Sequence, residues 1–493
     1  MASAPTLPAD APLLVARDVT FRYFESEHGV TDVNLQVRRG ERILVLGRNG
    51  QGKSTLLSLL AGKRKATKGT VLACGADAFD DCSLNDRISL IGTPWPPEAY
   101  FMNSVQGITT PAKDPARHRA LAAQLHLPLK AMVDKMSAGE KRRVQILFWM
   151  RNVAEVLLLD ECSTEVDVAE RASVLRLAKE ETTERGACCL YATHILDGVD
   201  DWATRVIVIE GGRIVRDEPY ASHLKADKLA AHTWLAKKTF TPFPPLTEYK
   251  FDAADTSDKA NAICCDGLSY KHIFENLRFA VPRGSRTLLV GCNGSGKSTL
   301  LHFLCGKTFF VNKGPALRIN GKACYHDMSL NAEVSFGGDW WPKAPDGQMY
   351  VWELFKKQPL DAAGEALRQI LDVKMDWDIR HVSAGELKRI QLLLALFPET
   401  GVVLLDEATA DLDLDMRHIL LHYLYRRSVE HGVTVLYTTH IFEGLDNWAT
   451  DCVVLDRTVK GVHCHLRGAA VRLDDIVRTM HQLKAAEAFS LDE

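Results

Sequence analysis

Twice along the chain a short apolar run, Ile43-Leu44-Val45-Leu46 and Thr287-Leu288-Leu289-Val290, gives way to a glycine-rich segment and then to leucine-rich sequence. The order predicts strand, loop and helix. Ahead of the first run, residues 14–19 and 33–37 alternate apolar and polar positions with the period of half-buried strands, which predicts a small antiparallel flank. Further on, Val156-Leu157-Leu158-Leu159 and Val402-Val403-Leu404-Leu405 are continuously apolar and end in Asp160-Glu161 and Asp406-Glu407. Such runs fit parallel strands buried on both faces, with the acids at their carboxyl ends. Residues 188–191 and 433–437 read as the next strands, and residues 205–215 as a closing hairpin around Gly211-Gly212. More helical stretches, about residues 98–152 and 343–398, are entered through Trp95 and Trp340-Trp341, where core packing is the expected use of the indoles. An amphipathic helix is expected over residues 469–483.

These elements come in two sets. Lys53 and Lys297 are 244 positions apart, and the pairs Ser137/Ser383, Asp160/Asp406 and His194/His440 are each 246 apart. A nearly constant offset marks a duplicated unit, and 493 residues exceed what one hydrophobic core organises. The expected organisation is a disordered tail over residues 1–11, a first domain over 12–217, a linker over 218–262 and a second domain with a C-terminal helix over 263–493. Within the linker, a helix is expected near residues 224–238, followed by the proline-stiffened Thr241-Pro242-Phe243-Pro244-Pro245. The fold class is α/β: two tandem domains whose glycine loops, GRNGQGKST and GCNGSGKST, resemble those of P-loop nucleotide hydrolases, each with a mainly parallel core sheet, an antiparallel β flank and a helical subdomain.

Composition narrows the function. With 46% hydrophobic and 25% charged residues, the chain is an ordinary globular sequence. A net charge of −3 gives no general attraction to nucleic acid, and the clusters Lys63-Arg64-Lys65 and Lys141-Arg142-Arg143 are expected at solvated helix or turn positions. No apolar run approaches the ~20 residues of a membrane helix, and the first ten residues carry no targeting pattern. A cytoplasmic location with nuclear access follows. The 12 cysteines include adjacent pairs but no C-x-x-C, so reduced, buried thiols are expected rather than a zinc or iron–sulfur site.

The glycine-rich segments, GRNGQGKST at 47–55 and GCNGSGKST at 291–299, have the spacing G-x-x-x-x-G-K-[ST]. Glycines let backbone N–H groups fold around phosphates at a positive helix end. Gly47, Asn49, Gly50, Gly52, Lys53, Ser54 and Thr55, with Gly291, Asn293, Gly294, Gly296, Lys297, Ser298 and Thr299, form the expected phosphate cradles. The lysines reach the outer phosphates, and Ser54 with Asp160, and Ser298 with Asp406, are the expected Mg²⁺ ligands. Glu161 and Glu407 are the expected general bases. His194 and His440, each 34 positions after its aspartate, are placed to hydrogen-bond a γ-phosphate. Ser137-Ala138-Gly139-Glu140 and Ser383-Ala384-Gly385-Glu386 read as helix caps and, equally, as anion sites. Tyr23 and Tyr270 are candidates to stack on an adenine ring, with plain surface packing the competing reading.

Taken in this order, the motifs resemble the nucleotide-binding domain of the ATP-binding cassette (ABC) superfamily over nearly the whole chain. In that family two domains close head to tail over ATP. The resemblance implies that Ser383 and Gly385 complete the site on Lys53, that Ser137 and Gly139 complete the site on Lys297, and that Asp167 and Asp413 match the loop through which the paired domains communicate. Within the superfamily, Tyr191-Ala192-Thr193-His194-Ile195 with Gly198, Trp202 and Ala203, repeated at residues 437–441, Gly444, Trp448 and Ala449, resembles the soluble ABC ATPases found with the Ccr-Not gene-regulation complex and their plant relatives.

Three departures matter. Ala138 and Ala384 replace a signature glycine and Glu140 and Glu386 a glutamine, which implies slow turnover. The glutamine expected near Gly92-Thr93-Pro94 and Gly337-Gly338-Asp339 is absent, which counts against transport. Cys162 and Ala408 stand where proline is usual. The implied function is a slow Mg²⁺-dependent ATPase with two competent sites, a monomer whose cassettes clamp on two ATP to act on an unidentified protein partner, in a gene-regulation complex by the same resemblance. Competing readings are the ATPase subunit of a membrane transporter, a non-catalytic ATP-binding module and a translation factor.

Overall fold

The computed structural model describes residues 8, 10–23, 29–92, 95–162, 167–196, 199, 201–220, 242–246, 257–309, 316–341 and 347–490. The expected helix near 224–238, most of the 218–262 linker, most of the 1–11 tail, Thr93-Pro94 and Gly198 lie outside these residues. The chain divides into two compact units, Met1–Thr239 and Phe240–Glu493.

In the first unit a six-stranded sheet runs Arg213–Pro219, Arg205–Glu210, Arg42–Leu46, Cys188–Ala192, Val156–Asp160, Ile88–Ile91 across its width. All neighbours are parallel except the Arg213–Pro219 edge, which returns antiparallel as the expected hairpin. The second unit repeats this as Gly461–Arg467, Asp451–Asp456, Arg286–Gly291, Thr434–Thr438, Val402–Asp406, Val334–Gly337. Each unit adds a four-stranded antiparallel flank, beginning in the first with Leu14–Arg22 and Gly29–Val37. The topology fixes the site. From the glycine-loop strand the chain crosses to the far edge and works back, which lays the carboxyl ends of Val156–Asp160, Cys188–Ala192 and Arg42–Leu46 side by side.

The apolar runs behave as their pattern requires. Val156 to Leu159 are at most 2% exposed and Val402 to Leu405 at most 5%. Leu56, Leu57 and Leu60 of the helix Lys53–Leu60 join the first core, and Leu300, Leu301 and Leu304 of Lys297–Leu304 the second. Helices that follow the acidic strand ends are tied down by indoles. Trp202 Nε1 donates to the Leu175 carbonyl at 2.8 Å and Trp448 Nε1 to that of Leu421 at 2.9 Å, with the rings edge-on to Tyr191 and Tyr437.

Two expectations need correction. Arg142 and Arg143 are not solvated: they are 3% and 4% exposed. The helix Ala138–Met150 packs them inward, where Arg143 pairs with Glu170 at 3.1 Å and Arg142 donates to backbone carbonyls at strand ends. A buried guanidinium is tolerable because its planar fork meets several acceptors at once. The C-terminal helix is Leu473–Ser490, starting later than expected because a short turn at Gly468–Ala470 comes first. It buries Ile476, Met480 and Leu483. From the linker, Phe243 is buried, stacked 4.5 Å from His422 and 5.1 Å from Tyr425, so this part of the proline segment packs on the second unit.

Trp448 is fully buried. Trp448→Ala is expected to cost about 3–5 kcal/mol, read as a lowered denaturant midpoint of the second unit. Trp448→Phe keeps most of the apolar volume and loses the hydrogen bond, so it costs less.

Candidate functional site

The site is built twice, and the glycine loop comes first. Gly52 and Gly296 cap the loop helices in left-handed backbone, with φ of 102° and 95°, and neither helix start has a side-chain cap. A Cβ on Gly52 would lie 2.6 Å from the Gly29 carbonyl, and one on Gly296 2.5 Å from the Phe274 ring. Only glycine fits, and the first helical N–H groups are left facing the loop. Lys53 is 5% exposed and curls back so that Nζ donates to the carbonyls of Gly47 at 2.7 Å and Arg48 at 3.1 Å. Lys297 repeats this on Gly291 at 2.7 Å and Cys292 at 3.2 Å. Ser54 and Ser298, one position on, are exposed, as are Asn49, Gly50 and Gly294, while Asn293 is half-buried.

The acidic strand ends stand opposite. Glu161 and Glu407 both adopt left-handed backbone, φ 46° and 49°, directly after their strands. Glu161 N–H donates to the Ala192 carbonyl at 2.9 Å and Glu407 N–H to that of Thr438 at 3.1 Å. This turn carries Glu161 Oε1 to 3.7 Å from Lys53 Nζ and Oε2 to 3.4 Å from His194 Nδ1. Glu407 Oε1 lies 3.2 Å from His440 Nε2. The two carboxyls are displaced in opposite directions. Burial alone would raise the Glu161 carboxyl, but His194 and Lys53 together hold it down at about 2. Burial pushes Glu407 up to about 7, with Lys297 opposing and Asp406 reinforcing.

The aspartates suit a cation. Burial raises the Asp160 carboxyl, opposed by a hydrogen bond from Ser54, and its Oδ1 is buried without a hydrogen-bond partner. A buried carboxylate with an open oxygen beside a serine hydroxyl is the donor set a hard divalent ion takes. Asp406 Oδ1 accepts from the Thr438 hydroxyl.

Other expected residues fall into two groups. Tyr23 lies by the first loop, its hydroxyl 3.4 Å from Thr55 Oγ1 and its ring under Arg64 at 4.8 Å. Tyr270 packs edge-on to Phe303 at 4.9 Å. Ser137 and Ser383 are exposed helix caps with complete capping boxes, and Gly139 and Gly385 lie in the first turns. Ser137 Oγ donates to Glu140 Oε2 at 2.8 Å, and Ser383 Oγ to Glu386 Oε2 at 2.9 Å. Asp167 and Asp413 cap the following helices, accepting from the N–H of Glu170 at 2.8 Å and Met416 at 2.9 Å. Sequence reasoning missed Arg142, Lys388 and Trp340, which touch the segments around the acidic pairs. The signal was there: Arg142 and Lys388 share one offset after the signature serine yet differ in type.

Residues 30–164 and 274–410 match the family model described as ABC transporter. ABC transporter I family member 21 of Arabidopsis thaliana is 36% identical over 201 residues, 37% of this chain and 70% of that protein. CCR4-associated factor 16 of Saccharomyces cerevisiae is 35% identical over 225 residues, 41% of this chain and 78% of that protein. Among solved structures, the archaeal ribosome recycling factor aABCE1, crystallised with ribosomal stalk protein aP1, superposes with a TM-score of 0.67 at 18% identity, covering 94% of this chain and 92% of that one. The last likeness is one of fold.

Gly52→Ala and Gly296→Ala should each destabilise their unit by about 1–3 kcal/mol, because both the backbone angle and the space exclude a Cβ. Gly401→Ala, with nothing within 4 Å of its Cβ, should change the denaturant midpoint little.

Proposed function

The chain belongs to the ABC transporter family, and on that premise we propose that it is a slow Mg²⁺-dependent ATPase using both glycine loops. One observation carries the reading: in each unit an uncapped helix start and a buried lysine face an Asp-Glu strand end with a histidine beside the glutamate. Lys53 and Lys297 exchange loop carbonyls for phosphate oxygens, which are stronger, charged acceptors. Gly47, Asn49, Gly50, Gly52 and Thr55, with Gly291, Asn293, Gly294, Gly296 and Thr299, wrap the phosphates. Ser54 with Asp160, and Ser298 with Asp406, would hold Mg²⁺, which neutralises charge on the β- and γ-phosphates when bound.

Glu161 and Glu407 each take a proton from a water whose oxygen attacks the γ-phosphorus. The bond to the bridging oxygen breaks, ADP leaves, and the proton passes to the released phosphate. His194 and His440 hydrogen-bond the γ-phosphate, and Tyr23 and Tyr270 flank the base. The finer reading follows the family pattern. Ser383 and Gly385 complete the nucleotide on Lys53, Ser137 and Gly139 that on Lys297, and loss of the γ-phosphate releases a clamp within one monomer.

The proposed target is a protein partner, in a gene-regulation complex, at a cytoplasmic location with nuclear access. Support comes from the likeness to CCR4-associated factor 16 and from the missing glutamines after Gly92 and Gly337. No helix among the described residues is long and apolar enough to cross a membrane.

Lys53→Ala and Lys297→Ala are each expected to lower ATP turnover by about half, and the double variant to abolish it, since each removes a charge-assisted phosphate contact at one of the two sites. Unchanged turnover in the double variant would falsify the reading. Glu161→Gln with Glu407→Gln should retain unhydrolysed ATP, measured as the nucleotide that remains bound through gel filtration.

A further inference from the structure

The two units solve one local problem with different chemistry. In the first, the end of the strand Ile88–Ile91 and the loop after the acidic pair are joined by one guanidinium. Arg142 donates to the carbonyls of Gly92, Cys162 at 3.0 Å and Glu161 at 3.4 Å, and to Gln145 Oε1 at 2.5 Å. Trp95 takes no part in that tie, packing edge-on to Phe148 at 4.9 Å and near Tyr100 at 5.9 Å.

At the same offset in the second unit stands Lys388, 3% exposed. An ammonium carries its three donors on one nitrogen and does not reach acceptors spread along the edge of a planar guanidinium. Lys388 Nζ instead sits 3.7 Å from the centre of the Trp340 ring, and Trp340 Nε1 donates to the Asp406 carbonyl at 2.6 Å. The segment bearing Trp340 is pinned on both sides. Asp339 lies between His302 and Lys307 at 2.9 Å each, both from the end of the second glycine-loop helix or just past it. Trp341 N–H donates to Gln391 Oε1 at 2.6 Å, on the signature helix Ala384–Leu396.

We propose that Lys388 and Trp340 are a positioning pair belonging to the second site alone, in which the ammonium fixes the indole and the indole N–H holds the backbone of Asp406, aiming the Asp406-Glu407 carboxylates. The pair rests on the ATPase reading given above. A desolvated cation–π contact is strong enough to select one indole orientation, and an N–H bond to the carbonyl of the residue before Glu407 acts directly on the left-handed turn that presents it. Hydrolysis at the second site therefore depends on Lys388 and Trp340, while the first site depends on the Arg142 fork.

The test uses the full chain with the first site silenced by Lys53→Ala and, in parallel, intact. Lys388→Met and Trp340→Phe should lower kcat at the second site about tenfold, with KM within about threefold, and Lys388→Arg should recover most of the loss. An unchanged kcat, or equal losses in kcat, ATP affinity and thermal midpoint in all three variants, would overturn the pair. If the wild type shows no turnover at all, the ATPase reading fails separately. The pair is then read from Trp340 emission, taken as wild type minus Trp340→Phe: Mg²⁺-ATP must shift it, and no shift removes the pair as well.

Discussion

A strand buried on both faces has to deliver a charged side chain at its end, and the backbone achieves this by turning into the left-handed region at one residue. Glu161 and Glu407 occupy that residue in the two units. The conformation costs on the order of 1–3 kcal/mol for a residue with a Cβ, so it persists only because the surroundings leave no alternative. The N–H of each glutamate is claimed by the neighbouring strand, at Ala192 and Thr438, and the next residues, Cys162 and Ala408, are fully buried. Small apolar side chains there anchor the turn in the core, and a proline is not needed for it.

That turn also sets the electrostatics. In the first unit it brings Glu161 between Lys53 and His194, and the carboxyl is held anionic. In the second, burial outweighs the opposing charge of Lys297, and Glu407 is displaced in the opposite direction. Two copies with the same lysine, aspartate, glutamate and histidine thus displace this carboxyl in opposite directions, according to how far burial or the neighbouring cations prevail. Lys388 opposes the displacement of Glu407, and burial lowers Lys388 itself to about 8. Its first-unit counterpart is an arginine, which binds the carbonyls of Cys162 and Glu161 and whose charge opposes the rise of the Asp160 carboxyl.

Much of the fold was legible because strand and helix periods are local properties and the repeat states each of them twice. Continuous apolar runs ending in acids became central parallel strands, and alternating runs became the antiparallel flank. The glycine loops were legible because their residue types are dictated by backbone angle and space. What stayed hidden depends on tertiary partners. Arg142 and Arg143 looked like solvent-facing charge, since nothing in a basic tripeptide reveals the carbonyls and the Glu170 carboxylate waiting for it. Phe243 looked like a linker residue because His422 and Tyr425, which bury it, lie far along the chain. Trp202 and Trp448 drew notice only as matching positions, whereas their physical task is to hold helix carbonyls to the sheet.

The signature serines show how a motif can serve two masters. A serine cap with an acid at the third helical position satisfies the helix's own first donors and contributes about 1 kcal/mol. Both boxes here are complete, and each serine hydroxyl is already donating to the carboxylate of Glu140 or Glu386. On the proposed function, a phosphate arriving at this helix start has to displace an anion that is tethered there and carries charge of its own sign. Glutamine would close the same box without that charge, so the barrier is electrostatic and not a matter of shape. On that proposal the resting cap opposes its own ligand, and the slow turnover proposed for this chain rests on Glu140 and Glu386 even with lysine, serine, aspartate, glutamate and histidine all in place.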